Sequence, residues 1–327
     1  MSKDLKTKVS VIVPCYNAAM TLPTCLEAII NSDYENYELI VVDDASTDSS
    51  LQIARKYSNK VLEIKENRGV SNARNQGARE ASGEILLFVD SDIIIKKDTI
   101  SRLIEGFSCP DNMVHQGVHS KRPANPGFGS SYIALEWHFN MTHNLRDGNI
   151  AECFFAECGA IRRDLFWEIS GFDEGFKSSG GEEFEISQRI MAKTKIKCNP
   201  LIETDHFYQG IWSRTQTLFH RSPSYLEVMK RQKGFTRIIR WNIIFGSIFS
   251  ALGLISLLTA LLIKIFLILS PIYFITAIII NYRFFLFLLR EKGLIFTVLA
   301  ISPFYLFHLS IFFGTLLSLL KLFNKKQ

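Results

Sequence analysis

The chain has 327 residues, room for two average domains or for one domain joined to a membrane part, and a formal net charge of +5. Its six cysteines are scattered with no CxxC pair, which argues against a disulfide framework or a zinc-type site and for buried, reduced thiols. Composition is uneven: charged and turn-forming residues punctuate the apolar runs up to about residue 240, and beyond Trp241 Phe, Leu and Ile dominate as far as Leu320.

The opening stretch MSKDLKTKVSVIVPCYN is charged and has only the short apolar run VSVIV before Pro14, so no secretory signal is expected there. VSVIVP predicts a first strand, and CYNA the polar turn after it. TLPTCLEAIINS predicts a helix with Leu22, Leu26, Ile29 and Ile30 on one stripe. YELIVV predicts a second buried strand, ending in Asp43 and Asp44. Ser46 or Thr47 is placed to cap the next helix, SSLQIARKY, and Asp48 reads as a cap or turn former. VLEIKE is a third strand, NRGVSNARNQGAREAS opens a helix after Gly69, and EILLFVDSD is a fourth strand. Continuous apolar strands alternating with amphipathic helices predict an α/β fold on a mostly parallel sheet, covered on both faces.

Ligands bind beyond the carboxyl ends of the strands in such sheets, and that is where two acid pairs fall. Asp43 and Asp44 end one strand; Asp90 and Asp92 end another. Side chains two apart on an extended strand share a face, so Asp90 and Asp92 are expected to converge. Two anions in an apolar run are costly unless something neutralises them. A divalent cation does so: Mg²⁺ or Mn²⁺ takes carboxylate, water and phosphate oxygens, usually one or two protein acids with the rest from substrate. The chain has neither GxxxxGK[ST] nor GxGxxG, so ATP hydrolysis and dinucleotide redox chemistry lack their phosphate loops.

At the C-terminal end, 241–263 reads WNIIFGSIFSALGLISLLTALLI without a charge, and at ~1.5 Å per residue it reaches ~34 Å, enough to cross a hydrocarbon core. A second apolar run follows Lys264 to Tyr282, interrupted by Pro271, and a third spans 294–320 with Pro303 and His308 inside it. Two to four crossings fit this pattern. Arg221, Lys230, Arg231, Lys233, Arg237 and Arg240 crowd the approach to the first run, which by the positive-inside rule puts the N-terminal part in the cytoplasm. Three crossings would leave Lys321, Lys325 and Lys326 outside, against the same rule. The aromatics among these basic residues could suit nucleic acid, but their place beside an apolar run points to membrane lipid instead. The expected layout is 1–210 as a globular domain, 211–240 as a basic interfacial segment and 241–327 as a membrane domain.

VSVIVPCYN, VVDDASTD, NRGVSNARNQGARE, FVDSD, GAIRRDLFWEISGFDE and GGEEFEISQR follow one another at sensible spacing. In these stretches, over roughly residues 8–215, the chain resembles family 2 glycosyltransferases, which have the GT-A fold. The resemblance implies a nucleoside-diphosphate sugar as donor. Pro14 and Tyr16 would line the nucleotide, Asp44, with Asp43 beside it, would bind the base, and Arg74 would sit near the phosphates. Asp90 would face the ribose or the metal shell, and Asp92 would ligate Mn²⁺ or Mg²⁺, with His206 as a further candidate ligand. The family's general base is the second acid of a Glu-Asp pair; here that position is Glu183, one methylene longer, with Glu182 as fallback. Gly175, Gly180 and Gly181 would let a loop approach the sugar.

One carboxylate working opposite a metal-bound leaving group implies single displacement with inversion. An alcohol acceptor needs a base and a phosphate does not; polyprenyl-phosphate sugar synthases resemble the first half of the chain equally well but lack the SGFDE and GGEE blocks, so the resemblance favours a hydroxyl acceptor, on a glycan or lipid-linked saccharide. The rivals are transfer to a polyprenyl phosphate, and an inactive nucleotide-sugar-binding scaffold in a membrane complex. QGIWSR has the wrong spacing for the Q-x-x-R-W of processive synthases, so non-processive transfer is expected.

Overall fold

The β-branched run at the N-terminus forms β1 (Val9–Cys15), with every residue buried. After it come α1 (Leu22–Ile30), β2 (Tyr37–Asp44), α2 (Ser50–Tyr57), β3 (Lys60–Ile64), α3 (Val70–Glu80), β4 (Ile85–Val89), β5 (Ile93–Ile94) and α4 (Thr99–Glu105). The chain continues through β6 (Val114–His119), α5 (Phe128–Thr142), β7 (Ile150–Ala151), β8 (Cys158–Arg162), α6 (Arg163–Glu168), α7 (Glu182–Met191) and β9 (Ile196–His206). This computed structural model describes residues 7–175, 181–231 and 240–324. Of the residues singled out above, Gly180, Lys233, Arg237, Lys325 and Lys326 lie outside the described residues. The chain divides into two compact units, Met1–Tyr208 and Gln209–Gln327.

In the first unit the sheet runs β3-β2-β1-β4-β8-β6-β9-β5, with β7 on β9. β3, β2, β1 and β4 are parallel, as their continuous apolar runs predict. Beyond β4 the sheet is mixed, because β8 enters antiparallel to both β4 and β6, while β6 and β9 are parallel. Apolar content marks a buried strand but not its direction, so the sequence left this half open.

Alternation along β1 splits the core into two faces. Val9, Val11 and Val13 pack with Leu22, Leu26 and Ile29 of α1 and with Ile100 and Leu103 of α4. Ile12 faces the other way, with Ala73 and Ala78 of α3, Phe166 of α6 and Ile186 and Ile190 of α7. Gly77 lets α3 lie directly on β1; a Cβ there would overlap Ile12 Cγ2. Two local expectations change. Ile30 leaves the α1 stripe and is exposed, because the helix ends on it. Asp48, rather than Ser46 or Thr47, closes the start of α2, accepting from Ser50 N at 2.9 Å and from Ser50 Oγ at 2.5 Å.

The second unit is helical: α8 (Ile211–Arg231), α9 (Trp241–Thr259), α10 (Phe266–Ile280), α11 (Tyr282–Leu299) and α12 (Ile301–Asn324). Among the described residues two helices are long and apolar enough to cross a membrane, Trp241–Thr259 and Ile301–Lys321. α10 and α11 meet the same test together but bend by 72° at their junction. The apolar run 294–320 is therefore not one helix: it is divided between α11 and α12 near Ala300. Several polar side chains in this unit pair with one another or with backbone. Asn242 Nδ2 donates to Asn281 Oδ1 at 2.9 Å, Ser270 Oγ to Gly253 O at 2.9 Å and Tyr305 OH to Phe274 O at 2.7 Å.

Candidate functional site

β1 lies between β2 and β4, so the carboxyl ends of three parallel strands share one edge of the sheet. Pro14 is buried inside β1, whereas Tyr16, just past its end, is 50% exposed. The turns after β1 and β2 are tied together: Asn17 N donates to Ser46 Oγ at 2.9 Å and Thr47 N to Asn17 Oδ1 at 2.8 Å. Asp43 is buried and accepts from Ser46 N at 3.1 Å. Asp44 is buried too, with its two oxygens on Arg68 N at 2.9 Å and Gly69 N at 2.8 Å. This pair thus fixes the loops that frame the edge, and Tyr16 is the member of the predicted nucleotide set that faces solvent.

Arg74 comes off α3 beneath that edge, only 2% exposed. Its Nη2 donates to both oxygens of Asp90, at 2.8 and 3.0 Å. Its guanidinium also lies 3.7 Å from Glu182 Oε1 and 4.0 Å from Glu183 Oε1, and 5.3 Å from the centre of the Phe172 ring. Burial opposes the Arg74 charge, but Asp90, Glu183 and Glu182 outweigh it and hold the group protonated. Glu182 is buried, with Oε2 accepting from Gly181 N at 3.0 Å. Glu183 is more open, 14% exposed in its side chain, and Oε1 accepts from Ala156 N at 2.8 Å. Burial, and then the neighbouring charge of Glu157, push the Glu183 carboxyl well above the usual range.

Asp92 has a different partner, His206. Phe207 N donates to Asp92 O at 2.9 Å and β5 pairs with the end of β9, which brings His206 Nε2 to 3.4 Å from Asp92 Oδ2. Asp92 is 39% exposed in its side chain, and the buried Nδ1 of His206 has no hydrogen-bond partner among the described residues. His119, at the end of β6, stacks on His206 with ring centres 5.1 Å apart and receives or gives a hydrogen bond at Nδ1 with Tyr208 OH, 2.7 Å away. His119 Nε2 lies 2.5 Å from Glu157 Oε2. Burial pushes Glu157 up, but His119 and then His206 overcome it and hold the carboxyl at about 2. Asp90 N donates to Glu157 O at 3.4 Å, so this second pair sits beside the first.

The expected site residues thus fall into two groups. Asp90, Glu182 and Glu183 gather on Arg74; Asp92 gathers with His206. Arg74 takes both oxygens of Asp90, so the two strand-end acids have different partners. Among the described residues no three His, Cys, Asp or Glu side chains are placed to hold a metal. Asp92 and His206, one exposed oxygen donor and one imidazole, fit a divalent ion that draws its other ligands from water and phosphate. His119 and Glu157 were not anticipated. His119 ends β6, a strand with two histidines and a glutamine that no apolar pattern announces. Glu157 precedes β8, whose antiparallel direction is what brings it there.

Residues 10–170 match the family model described as Glycosyl transferase family 2. Those residues form a glycosyl transferase family 2 domain. Among its family relatives, Glycosyltransferase GlyG of Streptococcus pneumoniae serotype 4 is 38% identical over 219 residues, which cover 65% of this chain and 64% of that protein. The Minor teichoic acid biosynthesis protein GgaB of Bacillus subtilis is 37% identical over 213 residues, 59% of this chain and 22% of that protein. The chain spans 14%, 31% and 64% of the lengths of three of the curated relatives it matches. A solved mannosyltransferase from Pyrobaculum calidifontis, in complex with GDP-Man and Mn²⁺, aligns with a TM-score of 0.60 at 17% identity, covering 98% of this chain and 90% of that one. That likeness shows the fold: the family 2 domain here is GT-A, a mixed sheet flanked by helices.

Proposed function

We propose that this chain transfers a sugar, with inversion, from a nucleoside-diphosphate sugar to a hydroxyl of a lipid-linked saccharide in surface glycan synthesis. The observation that carries the reading is Glu183: a largely buried carboxyl pushed towards basicity, held 4.0 Å from the guanidinium that grips the strand-end acid Asp90. Such a group suits removal of a proton from an acceptor hydroxyl as it attacks the anomeric carbon. Glu182, buried against Arg74, is the poorer candidate. With one base and no protein nucleophile in the scheme, the acceptor displaces the diphosphate in a single step and the configuration inverts.

Tyr16 offers the exposed ring on which a nucleotide base can lie, and Asp43 and Asp44 support the loops around it. Asp92 and His206 would hold Mn²⁺ or Mg²⁺, which when bound neutralises charge on the diphosphate. The apolar helices, and the basic residues ahead of Trp241, support a multi-pass membrane protein with residues 1–210 as the catalytic domain on the cytoplasmic face. Anchoring suits an insoluble acceptor. The relative named for minor teichoic acid biosynthesis supports the surface-glycan part of the proposal.

The test is nucleotide release by detergent-purified protein with Mn²⁺, a panel of nucleotide sugars and membrane lipid extract. Glu183→Gln is expected to lower turnover by roughly 10²- to 10⁴-fold, and Asp92→Asn to abolish it. Because the carboxyl is raised, wild-type turnover is expected to fall on acidification at a pH above the range of free glutamate. Near-normal turnover by Glu183→Gln would instead favour a phosphate acceptor. No turnover with any donor would favour a scaffold.

A further inference from the structure

The SGFDE stretch takes no part in the chemistry above, yet its last acid draws three donors from one helix. Asn72 Nδ2 lies 2.6 Å from Glu174 Oε2; Asn75 Nδ2 and Arg79 Nη2 lie 2.9 and 3.2 Å from Glu174 Oε1. Spaced three and four apart, these side chains share one face of α3. Asn75 also clamps the backbone of Phe172, accepting from its N at 2.9 Å and donating to its O at 2.8 Å. The approach is close: Gly171 has φ +64, and a Cβ there would lie 2.7 Å from Asn75 Oδ1. From the other side, Arg189 of α7 donates to Gly171 O at 2.6 Å and to Ile169 O, and pairs with Glu185. The segment 169–174 therefore bridges α3, which carries Arg74, and α7, which carries Glu182 and Glu183.

Resting on the glycosyltransferase reading, we propose that Glu174 is a positioning residue for the base. By fixing the segment 169–174 to α3 it sets where α7 holds Glu183 relative to Asp90 and the donor. Nucleotide binding draws on other elements, the β1 turn and the Asp92–His206 pair, so the effect belongs to the transfer step. Misplacement of a catalytic group by about 1 Å costs on the order of 10²-fold in rate.

The experiment compares Glu174→Gln, Glu183→Gln, the double variant, and Glu174→Gln with Asn72→Asp, all in the full chain. Glu174→Gln is expected to lower kcat for transfer by roughly 10- to 100-fold with donor KM within about twofold. On top of Glu183→Gln it should change the residual rate by less than about twofold, since it acts through that residue. Adding Asn72→Asp to Glu174→Gln reverses one donor–acceptor pair, the new amide donating where the Glu174 carboxylate accepted, and should restore most of the lost rate. Equal losses in both backgrounds, or nucleotide affinity falling in step with kcat, would show a merely structural role. A transferring wild type matched by Glu174→Gln overturns this proposal alone; a wild type that shows no transfer from any donor overturns both.

Discussion

Arg74 is a cation surrounded by acids and sealed from water. The family resemblance implies a place near the nucleotide phosphates, where a planar five-donor cation suits oxyanions. The oxyanions it meets here are the protein's own, Asp90, Glu182 and Glu183. Removing one partner of a buried pair leaves uncompensated charge, so Arg74→Met is expected to destabilise the first unit by about 3–5 kcal/mol, read as a lower unfolding temperature in detergent. Arg74→Lys keeps the charge but not the fork, and should fall between wild type and Arg74→Met. The acids themselves were legible: strand-end carboxylates in apolar runs, and a GGEE block at a helix start. Their pairing was not. Asp90 and Asp92 share a face only on a regular strand, and β4 ends at Val89, before either of them. His119 and Glu157 depend on strand order and direction, which no local pattern encodes.

At the scale of elements, Glu38 stitches the start of the sheet together. On β2, it accepts from Ser10 Oγ of β1 at 2.6 Å, from Ser82 N and Oγ ahead of β4 at 2.6 and 2.7 Å, and from Lys60 Nζ of β3 at 3.1 Å. Burial pushes this carboxyl up, but the hydrogen bonds from Ser10, Ser82 and Lys60 outweigh it and hold it at about 2. A depressed acid stabilises the fold above its unfolded value, and that contribution is lost as pH falls from about 4.5 towards 2. Water reaches part of the carboxylate and screens it, so Glu38→Gln should cost on the order of 1–2 kcal/mol at neutral pH. It should also flatten the acid side of a stability-versus-pH curve. The four strands it serves were readable as apolar runs between turn residues, and so were the helices α1 to α3 packed against them. Past Ile95 the strands β6, β7 and β8 are short or polar and their partners distant. β6 reads VHQGVH, with two histidines and a glutamine buried, and nothing periodic announces it.

At the scale of the molecule, the proposed topology has a direct probe in the cysteines. Cys109 is exposed, and the other five are buried. If the first unit faces the cytoplasm, a membrane-impermeant maleimide should label Cys109 in inverted vesicles and leave it unlabelled in intact cells; the reverse pattern would overturn the orientation. The apolar stretches that suggested anchoring were plain in the sequence, but their division into helices was not: α11 runs through the charged break between the second and third runs, and the third is split near Ala300. Within the second unit, Gly246 sits where a Cβ would come 2.7 Å from the His308 ring, and Gly253 where one would come 2.9 Å from the Phe274 ring. Hydrocarbon offers no water to expel from between helices, so intimate approach and polar contacts must do the joining. In the proposed membrane topology, a bundle fastened this way should come out of the bilayer as one plug, its helices still interlocked, when mild surfactant strips away the surrounding lipid.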